Sequence, residues 1–237
     1  MRAKSAAAAG VPSARLSTRP VAQPLRKRLP ASEMIADNPE MITDGAAMRP
    51  IPDFSTKPVL TGERVLLRPF TAADGLPMAA ILADPEVRRC TGGAHLSFDE
   101  QRLRTIYAAR ADATDRLDLA VVDRATGELV GEVVLNQWDA HNRSCVFRTL
   151  LGPAGRGRGL GTEATRLIVG HGFEQLGLHR ISLFVYAFNP RARRVYEKVG
   201  FVSEGVERET LLHEGEWVDS VRMSLLDREW AALPAAG

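Results

Sequence analysis

The sequence predicts an α/β domain built on a mixed, twisted, largely antiparallel sheet of about seven strands with helices on both faces. Three observations predict it. From Val59 onward, short β-branched runs alternate with capped helical segments. The strand Ser144–Leu151 leads through a glycine loop straight into a helical pattern. Arg180–Tyr186 is apolar at nearly every position, as expected of a central strand covered on both faces.

The elements follow in order. Arg64–Arg68 reads as the first strand, closed by Pro69, which has no N–H to donate. Thr71 with Asp74 three residues on forms a capping-box start for a helix over 72–83, ending near Asp84-Pro85. Ser97 and Glu100 repeat the device before a helix over 98–111, whose Phe98, Leu103, Ile106 and Tyr107 fall close to one face. Leu117–Asp123 and Glu128–Asn136 form a hairpin around Arg124-Ala-Thr-Gly127, with Gly127 supplying the positive φ. After Ser144–Leu151 and its loop, a helix runs from Thr162 to about Leu176 with Leu167, Ile168 and Phe173 inward, stopped by Gly177. The strand Arg180–Tyr186 is followed by a helix over Pro190–Val199, with proline at its first position and Gly200 at its end. Phe201–Glu207 and Trp217–Leu225, joined by a turn at His213-Glu-Gly215, complete the sheet.

Composition narrows the class. The chain has 237 residues, 45% hydrophobic and 25% charged, which excludes a wholly disordered chain, a collagen and a disulfide-stapled miniprotein. No apolar stretch approaches the roughly 18 residues needed to span a bilayer, so no membrane partner is expected. Cys90 and Cys145 stand alone, without Cys-x-x-Cys or His-Glu-x-x-His spacing, so the expectation is a reducing, cytoplasmic setting and no metal.

Residues 1–30 carry seven basic side chains and no acidic one, which leaves −5 for the other 207 residues against +2 for the whole chain. Residues 1–56 therefore read as a basic, mostly disordered extension, too poor in apolar residues to offset the entropy of ordering it, and 57–237 as the folded domain. Such a tail fits a transit peptide, an arm for an anionic surface or nucleic acid, or a segment without a role. The basic excess belongs to the tail, so nucleic acid is not the expected partner of the domain.

The chemistry gathers at the glycine loop. Arg156-Gly-Arg-Gly-Leu-Gly161 ends a strand and opens a helix, where backbone N–H groups and the helix dipole together favour an anion. A Walker A loop is excluded for want of Gly-Lys-Ser/Thr. A dinucleotide fingerprint fits formally at Gly159-Leu-Gly161-Thr-Glu-Ala164, but the next strand offers no acidic residue for the ribose, and several strands precede the loop. The third candidate is the pyrophosphate of coenzyme A. Arg156-x-x-Gly159-x-Gly161 resembles the acyl-CoA loop of the GNAT superfamily of N-acetyltransferases. Leu178-His-Arg-Ile181, Asn189-Pro-Arg-Ala192 and Tyr196-Glu-Lys-Val-Gly-Phe201 resemble its successive motifs in order and spacing. The opening Leu60–Pro69 is similar to the ribosomal-protein-alanine acetyltransferase branch, and Gly215-Glu-Trp-Val-Asp219 to spermidine acetyltransferases.

The resemblance implies the GNAT fold, acetyl-CoA as cosubstrate, and a small-molecule amine, polyamine or peptide N-terminus as acceptor, with a homodimer as a family expectation. It implies that Arg156, Gly157, Arg158, Gly159, Leu160, Gly161 and Thr162 hold the pyrophosphate. Thr149, Leu150 and Leu151 would present the strand edge to the pantetheine arm, with Asn189 and Arg193 assisting. Tyr196, on the inward face of its helix with Ala192, Val195 and Val199, is the expected acid for the leaving thiolate. Where many relatives carry Glu in the strand before the loop, this chain has Val146. Glu132, Asp139 and His141 are the alternative bases, with a water chain; Cys145 reads as a packing residue. The missing acid keeps open a second reading, a non-catalytic acyl-CoA-binding regulatory module.

Overall fold

The computed structural model describes residues 54–92 and 100–234. The extension over 1–53 and the predicted Ser97 cap and Phe98 lie outside the described residues. The sheet has eight strands, one more than the sequence predicts: β1 Leu60–Thr61, β2 Val65–Pro69, β3 Leu117–Asp123, β4 Leu129–Asp139, β5 Ser144–Leu151, β6 Arg180–Tyr186, β7 Val202–His213 and β8 Glu216–Leu226. The order is β1-β2-β3-β4-β5-β6-β8-β7, antiparallel throughout except for the parallel β5–β6 pair. Two-residue β1 carries no periodicity, which is why it was not legible.

Among the described residues, six α-helices cover the two faces: α1 Gly75–Ala83, α2 Pro85–Cys90, α3 Glu100–Asp112, α4 Leu160–Glu174, α5 Pro190–Val199 and α6 Asp227–Ala232. Under α4 and α5 lies the larger core, where Ile168, Phe173, Val199 and Tyr196 meet Val133, Phe147, Ile181 and Leu183. Under α1 and α3 lies a second, with Met78, Ile81, Leu103 and Tyr107 against Phe70, Ala120 and Leu150. Phe54 is buried in the larger core, edge-on to Trp138 at 5.5 Å, so ordered packing begins at least this early.

Local chemistry explains the differences from the predicted elements. The Asp84-Pro85 signal both ends α1 and starts α2, because Asp84 accepts a bond from the N–H of Val87 while Pro85 occupies the first helical turn. The Thr71–Asp74 capping box is present, but it opens a short 3₁₀ turn over Ala72–Asp74 that feeds α1. α4 starts at Leu160, two residues early, and ends at Glu174. β7 and β8 run on to a two-residue turn at Glu214 and Gly215, both at positive φ, the twist a tight hairpin requires. α6 was not predicted. It docks through Trp230, stacked 6.0 Å from Phe173 with its indole N–H donating to Glu174.

β6 is central but not covered on both faces. Ile181, Leu183 and Val185 face the core, whereas Phe184 is half-exposed. The cause is its pairing with β5, which stops after Val146↔Ser182 although both strands continue.

Candidate active site

β5 and β6 pair over three residues, Ser144–Val146 with Arg180–Ser182, and then diverge. Past the fork, the β5 edge from Phe147 to Leu151 has no strand partner on the β6 side, so backbone groups there are open to a ligand. A cavity of about 360 Å³ fills the fork. Its walls are β5 from Phe147 to Leu151, β6 from Phe184 to Tyr186, the end of α2, the glycine loop and one face of α5.

The loop is shaped by glycine. Gly157 has φ 73° and Gly159, the N-cap of α4, has φ 82°, a left-handed conformation that other residues adopt only with strain. Among the described residues, no backbone carbonyl accepts from the N–H groups of Gly157, Gly159 or Gly161. Gly157, Gly159, Gly161 and Thr162 all line the cavity, where the N-terminus of the 15-residue α4 adds its dipole. The donor set fits a diphosphate, and the unpaired β5 edge fits an amide-bearing arm.

Both loop arginines, expected to hold the pyrophosphate, are paired within the protein. Arg156 lines the cavity, but its guanidinium is engaged in structure: Nε donates to the Leu151 carbonyl at 2.9 Å, Nη1 meets Glu86 at 2.8 Å and Nη2 meets Asp84 at 2.6 Å. Glu86 also pairs with Arg191, so one network ties the loop to α2 and α5. Arg158 turns away, to Asp123 at 2.6 Å and the Ala154 carbonyl, on a shallow hollow behind the loop. The Leu160 side chain is buried in the core. Arg193 pairs with Glu197 one turn on and does not reach the wall. The α5 cations on the wall are Arg191, Arg194 and Lys198 instead. Their i, i+3, i+7 spacing was the available signal, one helical face over from the apolar stripe.

Tyr196 lines the cavity, wedged edge-on to Phe147 at 6.1 Å with Phe201 also at 6.1 Å. Its hydroxyl bonds to none of the described residues. Burial raises its pKa, and the neighbouring Cys90 thiol adds to the rise, so the phenol holds its proton at neutral pH. Asn189 lines the cavity too, while its carbonyl oxygen caps α5 by accepting from the Ala192 N–H at 3.1 Å.

Glu132 reaches the cavity from β4, on the sheet face opposite the α5 side. It is buried and accepts from the Tyr107 hydroxyl at 3.1 Å and from Arg110 at 3.3 Å. Burial raises its pKa; Arg110 pulls it back, while Asp118 adds to the rise. Asp139 is the exposed last residue of β4 and accepts from Asn142, His141 lies on the exposed turn that follows, and neither lines the cavity. Cys145 is buried in the core with its thiol pushed up by burial, a packing residue. Among the described residues, no cluster of three or more metal-ligating side chains occurs and no helix is long and apolar enough to cross a membrane.

Residues 64–202 match the family model described as Acetyltransferase (GNAT) domain. The chain belongs to the GNAT acetyltransferase family. As a member of this family it is an acetyl-CoA-dependent N-acetyltransferase. It is 29% identical to the spermidine N(1)-acetyltransferase of Escherichia coli strain K12 over 134 residues, 53% of this chain and 72% of that one. It is 35% identical over 104 residues to YdaF of Bacillus subtilis, provisionally named a ribosomal N-acetyltransferase; the match covers 44% of this chain and 57% of YdaF. The crystal structure of spermidine N-acetyltransferase from Vibrio cholerae with CoA and spermine shares the fold, at TM-score 0.65 and 24% identity over 72% of this chain and 99% of that one.

Proposed function

We propose that this GNAT domain acetylates a primary amine by direct attack, with Tyr196 as proton donor and Glu132 as proton acceptor at opposite faces of the β5–β6 fork. The observation that carries this reading is the fork itself: an unpaired strand edge between a free-amide loop and two titratable side chains. Acetyl-CoA supplies the activated acyl group. The N–H groups of Gly157, Gly159 and Gly161 and the cations Arg191, Arg194 and Lys198 would hold its phosphates, and β5 from Thr149 to Leu151 with Asn189 would align its amide arm.

Transfer makes an amide C–N bond and breaks the thioester C–S bond. An ammonium acceptor gives up two protons: one leaves before attack, and one as the amide forms. The sulfur takes one proton. Tyr196 serves as the donor to sulfur, a step typically worth about 10² to 10⁴-fold in rate. Glu132, with a pKa raised by burial, is a stronger base than a solvated carboxylate and takes the ammonium proton directly or through water. The presence of Glu132 on the cavity wall supports it as the base that Val146 does not supply.

The test is steady-state release of coenzyme A thiol by the full chain with a panel of amines. Turnover with at least one amine, lost in Tyr196→Phe with acetyl-CoA affinity intact, supports the reading. Full turnover in Tyr196→Phe removes the acid assignment.

A further inference from the structure

The acceptor end of the cavity has a charge balance of its own. Carrying the β5–β6 register forward from Val146↔Ser182 sets Arg148 level with Phe184 across the fork. Side-chain alternation places both on the sheet face that carries Glu132 and its cross-strand partner Leu150. Arg148 is exposed although β5 lies inside the sheet, because its side chain meets the cavity. Its guanidinium makes no ion pair or hydrogen bond among the described residues.

Among the described residues, the carboxylates on the wall are Glu86 and Glu132, and both are engaged, Glu86 by Arg156 and Arg191 and Glu132 by Arg110 and Tyr107. Among the described residues, a polycationic acceptor would thus meet an unpaired arginine and no unengaged carboxylate for its second ammonium. The opposite bank is aromatic: Phe184 is 46% exposed, 6.0 Å from the Tyr186 ring, which lies 5.5 Å from Phe188. The charge of Arg148 also lowers the pKa of both Glu132 and Tyr186, which places it within electrostatic reach of each bank.

We infer that the acceptor is an amine that carries its own anionic group beside an apolar side group, an amino-acid-like molecule and not a polyamine. Arg148 binds the anionic group, Phe184 and Tyr186 the apolar part, and Glu132 receives the ammonium proton. The inference rests on the amine-transfer reading above, and the bonds made and broken are the same.

The experiment measures kcat/KM of the full chain for apolar and aromatic α-amino acids, their α-amides, the corresponding decarboxylated amines and spermidine. Taurine and O-phosphoethanolamine beside β-alanine distinguish which anion is preferred. Acids outrunning their amides by about tenfold or more is the expected result, the worth of one charge-assisted contact. Arg148→Gln should collapse that preference and Arg148→Lys retain part of it. Amides, peptides or spermidine outrunning the acids overturns the inference, and so does a preference that survives Arg148→Gln. Absence of thiol release with every amine, while acetyl-CoA still binds, instead overturns the amine-transfer reading on which it rests.

Discussion

At the scale of single residues, the proposed mechanism rests on Tyr196 and Glu132, and burial raises the pKa of each. Tyr196→Phe keeps the ring that packs against Phe147 and Phe201 and removes only the hydroxyl. We expect kcat to fall by about 10² to 10⁴ while the KM for acetyl-CoA stays within a few fold, as loss of a general acid requires. Glu132 must be ionised to accept a proton, so kcat/KM should fall as pH drops through its pKa, which burial holds above the ordinary 4.5. The same shift has an opposite sign for folding. A carboxylate whose pKa is raised in the fold favours folding fully only below its unfolded pKa, and that contribution is lost as pH rises through the folded value. Glu132→Gln should therefore abolish the acidic limb of the rate profile without lowering the melting temperature at pH 7. Retention of that limb in the variant would reassign the base.

The inward placement of Tyr196 was legible from helical spacing, whereas its proposed role comes from the family resemblance; of the candidate bases Glu132, Asp139 and His141, Glu132 is the one that lines the cavity. The arginines were not legible. A sequence shows that Arg156 and Arg158 flank glycines, but not that Asp84, Glu86 and Asp123 arrive from distant segments to occupy them.

At the scale of elements, the site is a junction of a short strand pair, a turn and two helix ends. Arg156 joins three of these, so its loss should be read in stability before affinity. With side-chain exposures of 15% for Arg156 and 17% for Asp84, the pair is largely shielded. Arg156→Ala should cost about 2 to 4 kcal/mol in denaturant unfolding, since it leaves Asp84 and the Leu151 carbonyl short of a partner. A cost under about 0.5 kcal/mol would place that network among ordinary surface pairs. Gly159→Ala acts on the loop backbone, where φ 82° disfavours a Cβ by about 1 to 2 kcal/mol. We expect that strain to appear as about tenfold weaker acetyl-CoA binding, since the loop must hold its amides in place. The regular elements here were legible from period and punctuation, with Ser144–Leu151, Arg180–Tyr186 and Pro190–Val199 matching the predicted bounds. The open face of β6 was not, because an apolar run looks the same whether a helix or a substrate is to cover it.

At the scale of the whole molecule, stability and access are distributed along the sheet. β3 and the first part of β4 are buried at nearly every residue, whereas β7 is an edge strand exposed along most of its length. Backbone amide exchange should be slowest in β3 and β4 and fastest, among strands, along the outer edge of β7. β7 is also pinned electrostatically: Arg180 on β6 reaches over β8 to Glu204, and with the Ser224 hydroxyl holds that carboxyl down to about 2. A depressed carboxylate stabilises the fold above its unfolded pKa and loses that contribution as pH falls through the folded one. The melting temperature should accordingly drop between about pH 4.5 and 2, and Glu204→Gln should flatten that part of the curve.

Every role proposed for this site requires the β5–β6 fork and the loop ahead of α4 to receive an acyl-CoA. Titrating the ¹⁵N-labelled chain with acetyl-CoA and following its amide resonances tests this directly. The account predicts saturable shifts concentrated at Gly157, Gly159 and Gly161 and along Arg148–Leu151. Saturable binding that leaves those amides unmoved, or no binding at all, would contradict it.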